Sequence, residues 1–417
     1  MPAYAGATEL AGVAVDSART PTMPNYPPPK VHPSVPNGPL YAELRRAAPV
    51  ARTILPSGHQ AWLVTRYDDV RRVLSDARFS RNLLYEGAPC LIQPGDFSTG
   101  ERSILNLDAP DHTRLRRLIA KAFTARRIEN FRGRIEAITA ELLDHMSRAR
   151  PPVDLLEKFA FPLPTAVICE LLGVPFAQRE RFRAWSTMIV TPMQHTPDEV
   201  LAAQRDGMSD MRALIAEKRE HPTGDLLSDL VHARDNQDRL TEDELVDLTT
   251  QILLAGHETT VSLIGTGVYL FDRYPDQLAL LKERPDLLGS AVEEVMRFDG
   301  PADASLLRVA TEDVEIAGIT VRRGEAVLTI AGSANFDEAQ FPDPERFDIT
   351  RTNQAHLGFG HGIHFCFGAP LARLEAQVAF EALYRRFPGL RLAVPADEVA
   401  WRPPLSIRGP LGVPVTW

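Results

Sequence analysis

The chain of 417 residues contains few cysteines, Cys90, Cys169 and Cys366. So small and odd a number argues against a disulfide framework and is typical of a reducing cytoplasm. The sequence also lacks any run near the roughly 18 consecutive apolar residues that read as a membrane-spanning helix. Its N-terminus has no basic region followed by an apolar stretch, so no signal peptide is predicted. These absences lead us to expect a cytoplasmic protein without a membrane span.

The sequence also has fewer basic than acidic residues. Lys and Arg number 46 against 55 Asp and Glu, which gives a net charge of −9 and a pI near 5.7. Nucleic-acid binding normally needs a basic face, so nucleic acid is not an expected partner. The proportions of apolar residues (44%) and charged residues (24%) are typical of a globular protein. A chain this long can bury a core large enough to enclose a cofactor.

The apolar pattern predicts a mainly α fold with a minor antiparallel β portion. Residues 1–38 are rich in proline and are predicted to be a flexible segment. Helical periodicity is found at 68–76, 111–149, 153–173, 177–190, 197–220, 224–234, 285–298 and about 370–387. Strands are predicted at 50–54, 59–64, 314–316, 319–321 and 326–330, and a long loop at 80–105.

One helix is predicted to be much longer than the others. The residues TEDE at 241–244 fit a capping box, and no proline follows until Pro275. A helix of about 34 residues would be about 50 Å long, enough to cross the whole domain. We therefore expect a central spine.

The stretch FGHGIHFCFG at residues 359–368 is the most informative part of the sequence. Its glycines, Gly360, Gly362 and Gly368, allow the backbone to approach something flat and bulky. Pro370 suits the first turn of a helix beginning just after Cys366, and the positive end of that helix favours a thiolate. Two other interpretations are a glycine-rich turn around a structural cysteine, and a zinc site formed by His356, His361, His364 and Cys366, although structural zinc sites usually show paired ligands.

The long helix carries AGHETT at residues 255–260. Polar side chains in a buried spine need a reason. One reason is a local opening of the helix that makes a groove for a diatomic ligand, with Thr259 as hydrogen-bond partner and Glu258 as proton relay. The alternative is a kink with two satisfied polar side chains. His257 is expected to be structural.

Together these two segments resemble the cytochrome P450 superfamily. Its cysteine loop reads Phe-Gly-x-Gly-x-His-x-Cys-x-Gly, and its long helix carries Ala/Gly-Gly-x-Asp/Glu-Thr-Thr/Ser. The likeness extends from about residue 39 to the end, and is strongest to actinobacterial enzymes that tailor secondary metabolites. It implies the cytochrome P450 fold, a single haem-thiolate monooxygenase domain at 39–417, haem b, Cys366 as iron ligand, and catalytic roles for Glu258 and Thr259.

The resemblance also implies which residues surround the cofactor. Cationic partners for the haem propionates are expected at His112, Arg116, Arg308 and His364. Further cofactor contacts are expected from Ala255, Gly256, Phe359, Gly360 and Gly368. Arg114, Arg117 and Lys121 are either a basic docking patch for an acidic electron donor or a solvated helix face.

A supporting charge network is implied behind the cofactor. Glu294 and Arg297 share a helix face, and the family completes this Glu-x-x-Arg pair with an arginine from a later loop, for which Arg346 is the candidate. Relatives commonly have Asn-Arg-Asp where this chain has Asn335, Phe336 and Asp337. Since Phe336 is expected to lie away from the chemistry, it is predicted to change local packing or surface and not the reaction.

The activity implied is hydroxylation or epoxidation of an apolar molecule by O2. Electrons would come from NAD(P)H through a reductase and a separate ferredoxin or flavoprotein. The positions expected near the substrate, Ala255, Ala304, Leu306 and Leu307, are small or apolar and predict a roomy apolar pocket. A polyketide, macrolide or other secondary metabolite made in antibiotic biosynthesis is the expected substrate. The alternatives are a terpenoid, steroid or fatty-acid hydroxylase, a peroxide-driven peroxygenase, and a non-catalytic haem protein.

Overall fold

The structure is a computed structural model that describes residues 25–28, 38–92, 103–190, 195–235, 240–402, 405 and 407–417. Most of the predicted flexible segment 1–38 lies outside the described residues, as does the stretch 93–102 of the predicted loop. The described part is mainly helical with small sheets, which confirms the predicted fold class.

The described α-helices are α1 Pro39–Ala47, α2 Tyr67–Ser75, α3 Asp111–Ala122, α4 Ala125–Asn130, α5 Arg132–Ser147, α6 Pro162–Leu172, α7 Arg179–Val190, α8 Pro197–Glu220, α9 Leu226–Asp235, α10 Glu242–Arg273, α11 Pro275–Glu283, α12 Leu288–Asp299, α13 Ala331–Ala334 and α14 Ala369–Arg386. The described strands are β1 Val50–Ile54, β2 Gln60–Val64, β3 Phe79–Ser80, β4 Val153–Asp154, β5 Arg308–Ala310, β6 Val314–Ile316, β7 Ile319–Val321, β8 Ala326–Thr329, β9 Arg391–Leu392 and β10 Pro414–Thr416.

The largest described sheet has the strand order β1-β2-β8-β5-β3. All of its pairings are antiparallel except β2 with β8, which run parallel from Ala61 opposite Ala326 to Val64 opposite Thr329. A parallel pair needs a long crossover connection, and here most of the helices come between the two strands in the sequence. The β portion is therefore antiparallel apart from this one ladder.

Helix α10 is the spine that the sequence predicts. Thr241 Oγ1 accepts a hydrogen bond from Glu244 N at 3.1 Å, and the Glu244 carboxylate accepts one from Thr241 N at 3.0 Å. The helix has 32 residues, which makes it about 48 Å long, and it ends just before Tyr274 and Pro275. Because α6, α8, α12 and α14 pack around it, most of its side chains are buried.

Two predicted helices are interrupted. The pattern at 111–149 is divided among α3, α4 and α5, because the hydroxyl of Thr124 caps a new helix by accepting from Arg127 N at 3.3 Å. The pattern at 153–173 begins as strand β4 and one π-helical turn, Leu156–Ala160, before α6. Apolar periodicity shows that these residues are covered, but not where the backbone turns.

Candidate functional site

The loop before α14 is closed by a hydrogen bond from Cys366 N to Phe359 O at 2.9 Å. Gly360 and Gly362 have φ angles of +74° and +72°, which side-chain-bearing residues rarely adopt. A Cβ on Gly362 would also lie 2.4 Å from the carbonyl oxygen of Leu74. The loop therefore needs glycine at residue 362 both for its backbone angles and for its contact with α2.

Cys366 is exposed, although it lies where the surrounding protein disfavours a charge. Burial raises the pKa of the Cys366 thiol. Hydrogen bonds from the backbone N–H groups of Gly368 and Ala369, at the start of α14, act in the opposite direction, as do the charges of Arg116 and Arg373. The structure thus places helix N–H donors and two cations where a thiolate would need them.

Four of the predicted cofactor residues form a cation cluster. The rings of His112 and His364 lie 4.3 Å apart, and burial together with Arg308 lowers the pKa of His364 to about 2. Burial also lowers the pKa of Arg308 to about 10. Arg116 belongs to the same cluster and donates a hydrogen bond to the carbonyl oxygen of Phe365.

This cation cluster has little negative charge around it: among the described residues, Asp108 acts on His112 and Arg308 and opposes the lowering of their pKa values. Within the described part of the chain, Nε of Arg308 and Nε2 of His364 are buried and have no hydrogen-bond partner. Buried polar atoms without partners are costly, and burial together with the charge of Arg308 keeps the His364 ring neutral at pH 7. The two propionates of haem are anions that fit such a cluster. The residues present therefore fit the cofactor that the resemblance implies.

On α10, one strip of the helix is not covered by other side chains. Ala255 is exposed and Thr259 half-buried although their neighbours along the helix are mostly buried. They are four residues apart and share a face, and Thr259 Oγ1 donates to Ala255 O at 2.9 Å. The helix continues through residues 255–260, so the local opening that we predicted is absent.

Glu258 points away from that strip. Its side chain is fully buried, and its carboxylate accepts hydrogen bonds from Arg402 Nη2 at 2.7 Å and from Thr187 Oγ1 at 3.4 Å. Arg402 follows Glu258 by 144 residues and lies in the C-terminal segment. Arg402 could not be predicted from the sequence, because nothing in the local pattern connects it to α10.

Gly256 and His257 have packing roles. A Cβ on Gly256 would lie 2.7 Å from the side chain of Ile168, so this glycine lets α6 approach α10. This contact involves no cofactor, and the predicted cofactor contact of Gly256 stays a prediction. His257 is buried and hydrogen-bonds to Ser186 Oγ at 3.2 Å and Leu253 O at 3.0 Å, in agreement with its expected structural role.

The zinc interpretation is wrong for this loop. Among the described residues, no three His, Cys, Asp or Glu side chains lie close enough together to hold a metal ion. His356 instead binds the carboxylate of Glu293 at 3.0 Å, and His361 lies 3.4 Å from Nε of Arg71.

The supporting charge network contains a different arginine from the one predicted. Arg297 forms two hydrogen bonds with Glu294, at 2.7 and 2.8 Å, and both side chains are almost fully buried. Nε of Arg351 lies 3.4 Å from the same carboxylate. The side chain of Arg346 is 66% exposed and pairs with Asp348 at 3.8 Å; only its backbone carbonyl accepts from Arg297. The prediction of Arg346 as third member was therefore wrong, because spacing alone does not tell which arginine of a loop turns inward.

Phe336 packs in the protein interior, and its effect on local packing or surface relative to other members stays a prediction. Its side chain is 4% exposed and stacks 5.3 Å from the guanidinium of Arg297. Of the predicted substrate contacts, Ala304 and Leu306 are half-buried. Leu307 is fully covered in an apolar cluster behind the main sheet, so it has little surface left for a ligand.

The predicted basic patch is smaller than expected. Arg114 pairs with Glu244 and, at 3.7 Å, with Asp111, so its charge is neutralised locally. Arg117 is exposed, and the side chain of Lys121 lies outside the described part of the structure.

Comparison with known proteins agrees with this site. The family model of cytochrome P450 matches residues 176–390. The chain is 47% identical over 378 residues to the mycinamicin IV hydroxylase/epoxidase of Micromonospora griseorubida, covering 90% of this chain and 94% of that protein. It is 45% identical over 382 residues to the nocardicin C N-oxygenase of Nocardia uniformis subsp. tsuyamanensis, covering 91% and 95%.

A solved structure shows the same fold. The LnmA cytochrome P450 hydroxylase from the leinamycin biosynthetic pathway of Streptomyces atroolivaceus matches with a TM-score of 0.87 and 46% identity, over 95% of this chain and all of that one. No helix within the described ranges is both long and apolar enough to cross a membrane. The chain belongs to the cytochrome P450 family, and it is a haem-iron monooxygenase.

Proposed function

We propose that this protein uses haem b, with Cys366 as the iron ligand, to insert one oxygen atom of O2 into an apolar secondary metabolite. The observation that carries the proposal is the position of Cys366, beside the first N–H groups of α14 and next to a cation cluster with unpartnered buried donors. Bound haem supplies the activation of O2 with two electrons and two protons. The residues of the chain have to bind the cofactor, orient the substrate and deliver the protons.

The cofactor would be held from two sides. His112, Arg116, Arg308 and His364 would bind its propionates, and this role explains why they lie together while Arg308 Nε and His364 Nε2 have no hydrogen-bond partner among the described residues. The loop residues Phe359, Gly360 and Gly368 would contact the cofactor beside Cys366, and Ala255 would contact it from α10. The whole of residues 39–417 would form this one haem domain.

Proton delivery would depend on α10. Thr259 lies on the uncovered strip, so its hydroxyl can hold a proton where O2 binds. Glu258 is the acid next to it in the chain, and Arg402 holds its carboxylate in one position. A positioned acid and a positioned hydroxyl are a suitable pair for delivering two protons in turn.

The substrate would be a polyketide, a macrolide or another secondary metabolite. The relatives are named for mycinamicin IV and nocardicin C, and the solved structure for a leinamycin pathway. Ala255, Ala304 and Leu306 offer small or apolar surface with few fixed polar groups, which suits such molecules. Electrons would come from NAD(P)H through a reductase and a separate ferredoxin or flavoprotein, in the cytoplasm.

The test is turnover with isotopically labelled O2. Purified holoenzyme, ferredoxin, ferredoxin reductase and NADPH are incubated with macrolides, linear polyketides, steroids and fatty acids chosen from a spectral binding screen. One labelled oxygen atom in the product of a polyketide-type compound is the expected result. Label only in steroid or fatty-acid products would overturn the substrate class. Equal turnover with hydrogen peroxide alone would favour a peroxygenase.

A further inference from the structure

A pocket of about 840 Å³ lies between α5, α6, α7 and the C-terminal segment. It is not lined by Cys366, by the cation cluster or by the uncovered strip of α10. Phe176 and Leu411, which line it, are 85% and 51% exposed, whereas Val261 of α10 is buried. The pocket therefore runs from the protein surface to α10 along a path separate from the cofactor site.

Two arginines of this pocket have donors that nothing satisfies. Nη1 of Arg402 is buried and has no hydrogen-bond partner in the described structure, although Nη2 of the same side chain binds Glu258. Nε of Arg179 is likewise buried and without a partner. The Arg402 side chain is only 9% exposed. A buried donor left without an acceptor costs about 1–3 kcal/mol, so a small movement of either side chain that brings its donor to an acceptor in the pocket is favoured.

The acceptor need not be charged. Arg402 is already neutralised by Glu258, and Arg179 lies 3.5 Å from Glu170, which also binds Arg134 at 2.6 Å. Four arginines and five acidic residues line the pocket in all. An added anion would therefore meet no excess of positive charge, whereas a neutral carbonyl oxygen would satisfy the free donors without adding charge.

The rest of the wall is largely apolar. Leu142, Leu156 and Phe161 line it, and the guanidinium of Arg183 stacks 5.2 Å from the ring of Phe161. The volume is within the range of pockets that hold drug-sized molecules. Between the paired charges, apolar surface with a few unpartnered donors can hold an apolar molecule that carries one or two acceptor groups.

We propose that this pocket is a second ligand site, which binds a neutral, mainly apolar molecule through a carbonyl-type oxygen. The acceptor binds Arg402 or Arg179, whose side chains turn to meet it, and the apolar body lies along Leu142, Leu156 and Phe161. Because Arg402 also binds Glu258, a ligand here contacts a group that touches α10 without entering the cofactor site. The site stands independently of the proposed substrate and of the identity of the iron ligand.

The test is equilibrium dialysis of the neutral lactone coumarin against the holoenzyme, with the haem site first saturated by the iron-coordinating azole clotrimazole. Saturation is followed in the haem spectrum. Coumarin is expected to bind at about one molecule per protein in the presence of the azole. Arg179→Gln, which removes a donor, and Ala166→Phe, which fills the pocket, should each weaken binding about tenfold, an effect of ~1.4 kcal/mol. Ala382→Phe on α14, outside the pocket, is the matched control.

Coumarin-3-carboxylate tests the charge argument. It should bind more weakly than coumarin, because the arginines already have carboxylate partners. Loss of coumarin binding once the azole is present, or equal binding by Ala166→Phe and Ala382→Phe, would overturn the second site. Tighter binding of the carboxylate would overturn the neutral ligand class. Thermal melting curves of each variant show whether it is folded, and the two phenylalanine variants are compared only at temperatures where both are.

Discussion

Nη2 of Arg402 lies 2.7 Å from Oε2 of Glu258, and the two side chains are 9% and 0% exposed. A pair covered this well adds little net stability, but one partner without the other is a buried, uncompensated charge. We expect Arg402→Met to lower the free energy of unfolding by about 3–5 kcal/mol in urea denaturation. Glu258→Gln added to that variant should recover much of the loss. An Arg402→Met variant as stable as the wild type would contradict the importance of this pair.

Thr259 is expected to affect how much of the NADPH consumed leads to product, rather than how tightly the substrate binds. Its hydroxyl contacts the carbonyl oxygen of Ala255 in its own helix, so Thr259→Ala removes a proton-holding group and little else. We predict a fall of about tenfold or more in product formed per NADPH, with hydrogen peroxide released instead, and a nearly unchanged spectral binding constant. Thr260→Ala, at a buried neighbouring position, is the control and should keep most of the coupling.

The two arginines near Glu294 should behave differently. Arg351 contacts this buried carboxylate as an ion pair and also donates to the carbonyl oxygens of Pro342 and Asp343. Arg351→Met is therefore expected to cost about 1–3 kcal/mol of unfolding free energy. Arg346→Met, at an exposed side chain, should change it by less than about 0.5 kcal/mol. If Arg346→Met lost more unfolding free energy than Arg351→Met in urea denaturation, Arg346 would be the third member of the network after all.

The contacts of Glu293 predict that the folded protein loses stability in acid. Burial raises the pKa of Glu293, but the hydrogen bonds from His356 and Arg373 outweigh it and hold the pKa at about 2, below the ordinary 4.5. Since the folded pKa is the lower one, the stability from this group is present above pH 4.5 and is lost as the pH falls toward 2. The shift corresponds to about 3 kcal/mol.

Urea denaturation of Glu293→Gln and wild type over a series of pH values measures this contribution. The variant should lose less stability than the wild type as the pH falls below 4.5, because the titrating group is gone. Glu312→Gln, at a side chain that is 62% exposed, should follow the wild type. Parallel curves for all three proteins would show that the contacts of Glu293 do not stabilise the fold.

Local signals in the sequence predicted much of the fold. Thr241 and Glu244 specify the start of α10 by their own hydrogen bonds, and Pro275 marks where it cannot continue, so both ends could be found without tertiary information. Gly362 could be identified because a glycine-rich loop next to a single cysteine is unusual, and its left-handed φ supplies the physical reason.

Contacts between distant segments could not be predicted in this way. Arg402 reaches Glu258 from a stretch without apolar periodicity, and Arg351 is one of several arginines in an irregular loop. Gly256 lets α6 approach α10, because a Cβ there would lie 2.7 Å from Ile168 of α6. In each case the partner is chosen by packing across the molecule, which one-dimensional spacing does not record.

The most direct measurement is the absorption spectrum of the reduced, carbon-monoxide-bound protein. If Cys366 is the iron ligand, the wild type shows the red-shifted Soret band of a thiolate–carbon monoxide adduct, and Cys366→Ser loses that band. Cys90→Ser and Cys169→Ser, at the two other cysteines, both buried, should retain it. Retention of the band by Cys366→Ser, or its loss only in Cys90→Ser or Cys169→Ser, would contradict the account.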